Sequence, residues 1–126
     1  MTRNHVVSVS LCLLLAGCDR APEQRFCTAV AVDALTVTVT DAATGQRICD
    51  ATVTATDGAF SAELRPFGLG PDCSYSGPTE RAGRYDVRVT RSGYEAAVRR
   101  DVTVTADECH VIPVRLSFDL SPSPMP

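Results

Sequence analysis

The stretch "ATVTATDGAFSAEL", residues 51–64, decides the fold. Asp57-Gly58 is a favoured two-residue hairpin turn, because both positions tolerate positive φ. Folding the chain about it pairs Ala55 with Phe60, Val53 with Ala62 and Ala51 with Leu64 on one face. Thr54 with Ser61 and Thr52 with Glu63 then share the other face. Because side chains alternate with period two, a one-residue slip would scramble this sorting, so the pattern specifies its own register.

The same period runs outward in both directions. In "LTVTVT" Leu35, Val37 and Val39 share one face and Thr36, Thr38 and Thr40 the other, the signature of a half-buried strand. "DAATGQ" supplies a turn after it. "GRYDVRVT" places Tyr85, Val87 and Val89 inward and Arg84, Asp86 and Arg88 outward, and "RSGY" turns the chain. "EAAVRRDVTVT" continues as strand, with Arg99-Arg100-Asp101 interrupting the alternation as a bulge would. In "HVIPVRLSFDL" the inward set is Ile112, Val114, Leu116, Phe118 and Leu120, and Pro113, lacking an N–H, predicts an edge strand. Residues 65–82 hold prolines 66, 71 and 78 and glycines 68, 70 and 77, and predict a long irregular loop. No segment keeps a helical period. Six or seven short strands between residues 27 and 120 predict an all-β sandwich.

Both ends of the chain read differently. Residues 1–5 are polar with Arg3, and residues 6–16 are apolar except for Ser8 and Ser10. That run fits a secretory signal and falls short of the ~20 apolar residues a spanning helix needs. It ends in Leu15-Ala16-Gly17-Cys18, which resembles the bacterial lipobox, in which the cysteine becomes the lipidated N-terminus. The expectation is a signal peptide over 1–17, a lipidated tether over 18–26, the sandwich over 27–120, and a disordered proline-rich tail over 121–126. Asp19, directly after the lipid site, resembles the inner-membrane retention signal of enterobacterial-type sorting, so the choice of membrane stays open.

Removing 17 of 126 residues leaves 109, with four cysteines free to pair: Cys27, Cys49, Cys73 and Cys109. An even number in an exported chain predicts two disulfides. Zinc is the poorer reading, since no C-x-x-C is present and His110 is the single remaining histidine. Three connectivities exist. Cys73–Cys109 with Cys27–Cys49 ties the long loop to the turn before the last strand; Cys49–Cys73 with Cys27–Cys109 is the close competitor. The mature charge is about −4, from 11 basic and 15 acidic residues, with no lysine. That balance argues against nucleic-acid binding.

Taken together, "VTVTDAATGQRICDATVTATDG", then "GRYDVRVTRSGYEAAVRRDVTV" and a closing strand, resemble the carboxypeptidase regulatory-like domain from Leu35 to Leu120. The resemblance implies a transthyretin-like, Greek-key sandwich of about seven strands. It also implies an accessory or cell-surface module without agreed catalytic residues or cofactor. Gly83, Tyr85, Gly93 and Tyr94 fall at the family's structural positions, the tyrosines packing in or against the core. The transthyretin-like hydrolases of 5-hydroxyisourate carry several histidines and a Tyr-Arg-Gly-Ser end, and iron dioxygenases of related fold need two histidines and two tyrosines as ligands; the mature chain, with His110 as its one histidine, fits neither. Cys109 and His110, as neighbours on a strand, would point to opposite faces and so make no nucleophile–base pair. No nucleophile–base–orienter set can be assembled from the sequence.

Two binding surfaces are expected instead. Arg84 and Arg88 on one wet face, with Arg99 or Arg100 alongside, would form a stripe for anionic headgroups or an acidic partner; the competing reading is a solvated face with cross-strand ion pairs. Phe67, Leu69 and Tyr75 in the long loop would form a recognition surface, or fold over the core edge. The expected function is that of a membrane-anchored, non-catalytic binding or structural module for an envelope protein or glycan. An inhibitor or immunity-type lipoprotein using the 65–82 loop is the alternative, and a small hydrolase the least favoured reading.

Overall fold

In the computed structural model the chain is described at Gly17 and over residues 26–124. Apart from Gly17, the expected signal segment lies outside that range, as do Cys18 and most of the expected tether. Eight strands form two four-stranded sheets, one more strand than the sequence suggests, and no α-helix occurs among the described residues. They are β1 (Asp33–Asp41), β2 (Thr52–Asp57), β3 (Phe60–Glu63), β4 (Arg65–Phe67), β5 (Ser74–Thr79), β6 (Gly83–Thr90), β7 (Ala97–Val104) and β8 (Val114–Leu120). One sheet has the order β4-β5-β1-β8 and the other β3-β2-β6-β7. β8 runs parallel to β1, from Leu35 opposite Val114 to Asp41 opposite Leu120, and forms a sheet edge as expected.

The alternation read in the sequence places the core. Leu35, Val37 and Val39 of β1, Tyr85, Val87 and Val89 of β6, and Leu116, Phe118 and Leu120 of β8 are all buried between the sheets. Each fully buried Val or Leu is worth ~1.5–3 kcal/mol relative to exposure. The bulge also falls where expected. Tyr85 faces Val102 and Val87 faces Arg99, so Arg100 and Asp101 together oppose Asp86. Asp101 takes a φ of 58° there, and the Asp86 carboxylate accepts its N–H at 3.1 Å.

Four expectations are corrected. The hairpin closes one residue later: Asp57 pairs with Phe60, Thr56 with Ser61, Ala55 with Ala62 and Thr54 with Glu63. Of the two loop residues, Gly58 and Ala59, only Gly58 has positive φ, at 57°, which is the demand of a II′ turn with glycine first. Partners move by two along β3, so the faces survive and Val53, Ala55 and Leu64 stay inside.

Residues 65–82 are largely strand. Pro66 lies on edge strand β4, and Pro78 lies past the last β5 residue paired with β4, so neither missing N–H breaks a β4–β5 bond. Cys73, Tyr75 and Gly77 are buried between half-buried Ser74, Ser76 and Pro78, a period of two hidden by turn-forming residue types.

Ile112, expected inside, is exposed, and Val111 is buried in its place. β8 begins only at Val114, and Val111 pairs separately with Ala106, so the alternation of β8 does not extend back through Pro113. Finally, the first tail residues are ordered: Glu95 N–H donates to the Ser121 carbonyl and Ser123 N–H to the Gly93 carbonyl. Pro122 sits between these bonds and needs no N–H.

Leu35 has no exposed surface, whereas Thr36 is half-buried on the outer face. Leu35→Ala should therefore cost about 2–5 kcal/mol in urea unfolding, and Thr36→Ala no more than about 0.5 kcal/mol.

Candidate functional site

A disulfide marks each end of the sandwich. Cys27–Cys109 joins the entering chain to the β7–β8 connection, near the start of β1; Cys49–Cys73 joins the β1–β2 and β4–β5 connections, near its end. The Cys73–Cys109 pairing is thereby corrected. β5 runs antiparallel to β1, with Tyr75 opposite Val37, so Cys73 falls toward the end of β1. Cys109 precedes Val114, which lies opposite Leu35 near the start. Nine residues of strand, ~30 Å, separate these ends.

At the far pole the chain makes a short 3₁₀ turn, Gly70–Asp72, just before Cys73. Arg47 Nε donates to the Pro71 carbonyl at 3.2 Å, bracing the turn from the β1–β2 connection. Phe67 and Leu69 project there, 71% and 90% exposed. Tyr75, grouped with them on sequence, belongs to the core at 1% exposure. Its hydroxyl donates to the Ile48 carbonyl at 3.1 Å and accepts the Ala51 N–H at 2.8 Å, so it satisfies the segment around Cys49 from inside. Burial pushes its phenol above the ordinary value. At the same pole Tyr94 donates its hydroxyl to Asp41, tying the β6–β7 turn to the β1–β2 turn.

Of the expected arginine stripe, Arg100 reaches the outer face of β6 through its pair with Asp86, and Arg99 does not. Arg84 and Arg88 do share the outer face of β6, but their cross-strand neighbours on β7 are Thr103 and Val98. Arg100 pairs with Asp86 at 3.2 Å. Arg99, displaced by the bulge, reaches toward β8, donating to the Ser117 carbonyl at 3.1 Å with its guanidinium 5.1 Å from the Phe118 ring centre. It closes the gap between sheet edges instead of joining a binding face.

The near pole holds a group that sequence reasoning missed. His110 Nδ1 stands 2.6 Å from Glu80 Oε1, and its Nε2 stands 3.0 Å from Thr28 Oγ1. A carboxylate only accepts, so Nδ1–H donates to Glu80, and Nε2 shares a hydrogen bond with the threonine hydroxyl. The order is that of a nucleophile, base and orienter. Its surroundings are those of a clasp: Glu80 also accepts the N–H of Val32 at 2.8 Å and of Val111 at 3.2 Å. The carboxylate thus binds the N-terminal segment to the β7–β8 connection through three bonds. Residues 28, 80 and 110 lie on three separate connections, so no local motif could reveal the group. Beside it lies an open hollow of about 530 Å³, walled by Val30, Ala82, Ala106 and Val111. Among the described residues, no group of three or more His, Cys, Asp or Glu could hold a metal ion.

The family model for the carboxypeptidase regulatory-like domain matches the chain over residues 32–120. The chain belongs to that family. No curated protein matches it. The carboxypeptidase regulatory-like domain is a non-catalytic, immunoglobulin-like fold. This member carries an apolar pair on a braced turn at one pole and a clasped entry segment at the other.

The clasp gives stability a definite pH dependence. Partial desolvation raises the Glu80 pKa, but hydrogen bonds from His110, Val32 and Val111 outweigh it and hold the carboxyl below its ordinary 4.5. A depressed folded pKa contributes stability that is present above the unfolded value and lost as pH falls through the folded one. Glu80→Gln should lower the melting temperature at pH 7, and the difference from the parent should shrink as the pH is taken below that 4.5. Melting curves at a series of pH values check this; a difference that does not change with pH would remove Glu80 from that role.

Proposed function

We propose that this carboxypeptidase regulatory-like domain protein is a lipoprotein of the bacterial cell envelope. Cys18 carries the lipid, and the sandwich serves as a non-catalytic binding module that contacts an envelope protein or glycan through the 67–72 turn. The observation that carries the reading is the agreement of two independent features. The Leu15-Ala16-Gly17-Cys18 motif directs the chain out of the cytoplasm, and the four cysteines of the domain are joined in two disulfides, which form and persist in oxidising compartments. One acyl chain binds a membrane only marginally, and two or three together hold firmly.

The choice of the 67–72 turn as contact surface rests on exposure and bracing. Phe67 and Leu69 are held in water by a disulfide and the Arg47–Pro71 bond, and rigid apolar side chains lose little freedom when a partner covers them. They suit an apolar pocket on a protein.

Metabolic labelling with a fatty acid tests the anchor: the parent should take up label and sediment with membranes, and Cys18→Ala should do neither. Equal label in both would refute the lipoprotein reading. Crosslinking in intact cells tests the surface. Phe67→Asp combined with Leu69→Asp should abolish capture of the partner that the parent retains, and unchanged capture would move the contact elsewhere.

A further inference from the structure

Large apolar side chains also stand in water at the pole where the chain enters. Phe26 is 89% exposed, Val30 70% and Ile112 51%. Phe26 adjoins Cys27, whose bridge fixes it to Cys109. Val30 lines the open hollow together with Val111, the residue before Ile112. The segment that carries Phe26 and Val30 is fastened at three points: the disulfide, the Thr28–His110 contact, and the bond from Val32 N–H to Glu80. These side chains are therefore held outward by structure.

The chain's own length says what faces them. Phe26 comes eight residues after Cys18, a reach of at most ~28 Å when fully extended. The far pole lies another ~30 Å away along β1. Of the two apolar clusters, the one on the entry pole is the one that a lipid on Cys18 brings against the bilayer.

We propose that Phe26, Val30 and Ile112 form a seat that rests in the interfacial layer of the membrane holding the Cys18 lipid. The inference rests on the lipoprotein reading above and adds an orientation to it: the domain stands on its entry pole and holds the 67–72 turn away from the surface. The acidic groups of this pole are engaged within the protein. Glu80 accepts from His110, Val32 and Val111, and Asp107 accepts the N–H groups of Cys109 and His110. Seating thus draws on apolar burial instead of attraction between charges, and added salt, which screens exposed charges, leaves it in place.

The chain has no tryptophan, so a single introduced one reports its own surroundings. Full-length lipidated protein carrying Phe26→Trp, Val30→Trp or, as control, Phe67→Trp is reconstituted on vesicles of phosphatidylethanolamine and phosphatidylglycerol, with and without brominated phosphatidylcholine. All three positions are exposed, so the substitutions leave the core untouched. Flotation with the vesicles reads the anchor, and quenching by bromine reads the seat. The expected result is that all three variants float, that the tryptophans at 26 and 30 shift to the blue and lose most of their emission at low and high salt alike, and that the one at 67 is unchanged. Floating protein with unquenched tryptophans at 26 and 30, or with equal quenching at 67, overturns the seat while leaving the anchor intact. Failure to float overturns the anchor and the seat with it.

Discussion

The arrangement depends on a strand closed at both ends. β1 lies inside its sheet between β5 and β8, with Leu35, Val37 and Val39 turned into the core. A disulfide sits near each of its ends, one spanning 82 residues of chain and the other 24. Bridges over such separations each stabilise by ~2–4 kcal/mol, chiefly by restricting the unfolded chain. For a core built mainly from valines and two tyrosines, that is a substantial share of the ~5–15 kcal/mol typical of native domains.

The bridges also divide the labour of the surface. Around Cys27–Cys109 the entry segment is fastened by bonds from Thr28 and Val32 to residues of two other connections. Around Cys49–Cys73 the 67–72 turn is braced by Arg47, and the buried Tyr75 bonds the segment around Cys49 from inside. Under the lipoprotein proposal, fixing the entry segment sets how the body is carried by its tether, and fixing the turn sets what the body presents.

What the sequence made legible follows from how local its signals are. Period-two alternation in β1, β6 and β8 needs only neighbouring residues, so inward faces, the bulge at Arg100-Asp101 and the sandwich itself could be read directly. The hairpin was read with the right faces and the wrong closing pair, because Asp-Gly serves both turn types and only the backbone angle at Gly58 separates them. β5 escaped because Gly77 and Pro78 are turn formers by type, although Cys73, Tyr75 and Gly77 keep the strand period. The disulfide pairing, the Arg99 contact with β8 and the Thr28–His110–Glu80 clasp depend on which connections meet at which pole. That is a property of the β4-β5-β1-β8 order, in which only β5–β4 and its hairpin are adjacent along the chain, and no window of sequence contains it.

Disulfide mapping of the unreduced mature protein tests the account most directly. Trypsin cuts after arginine but spares Arg65-Pro66, so Cys49 and Cys73 stay together in peptide 48–81, while Cys27 falls in 26–47 and Cys109 in 101–115. The structure requires 26–47 linked to 101–115, and 48–81 released alone with its bridge inside. A covalent link from 48–81 to either of the other two peptides would contradict it.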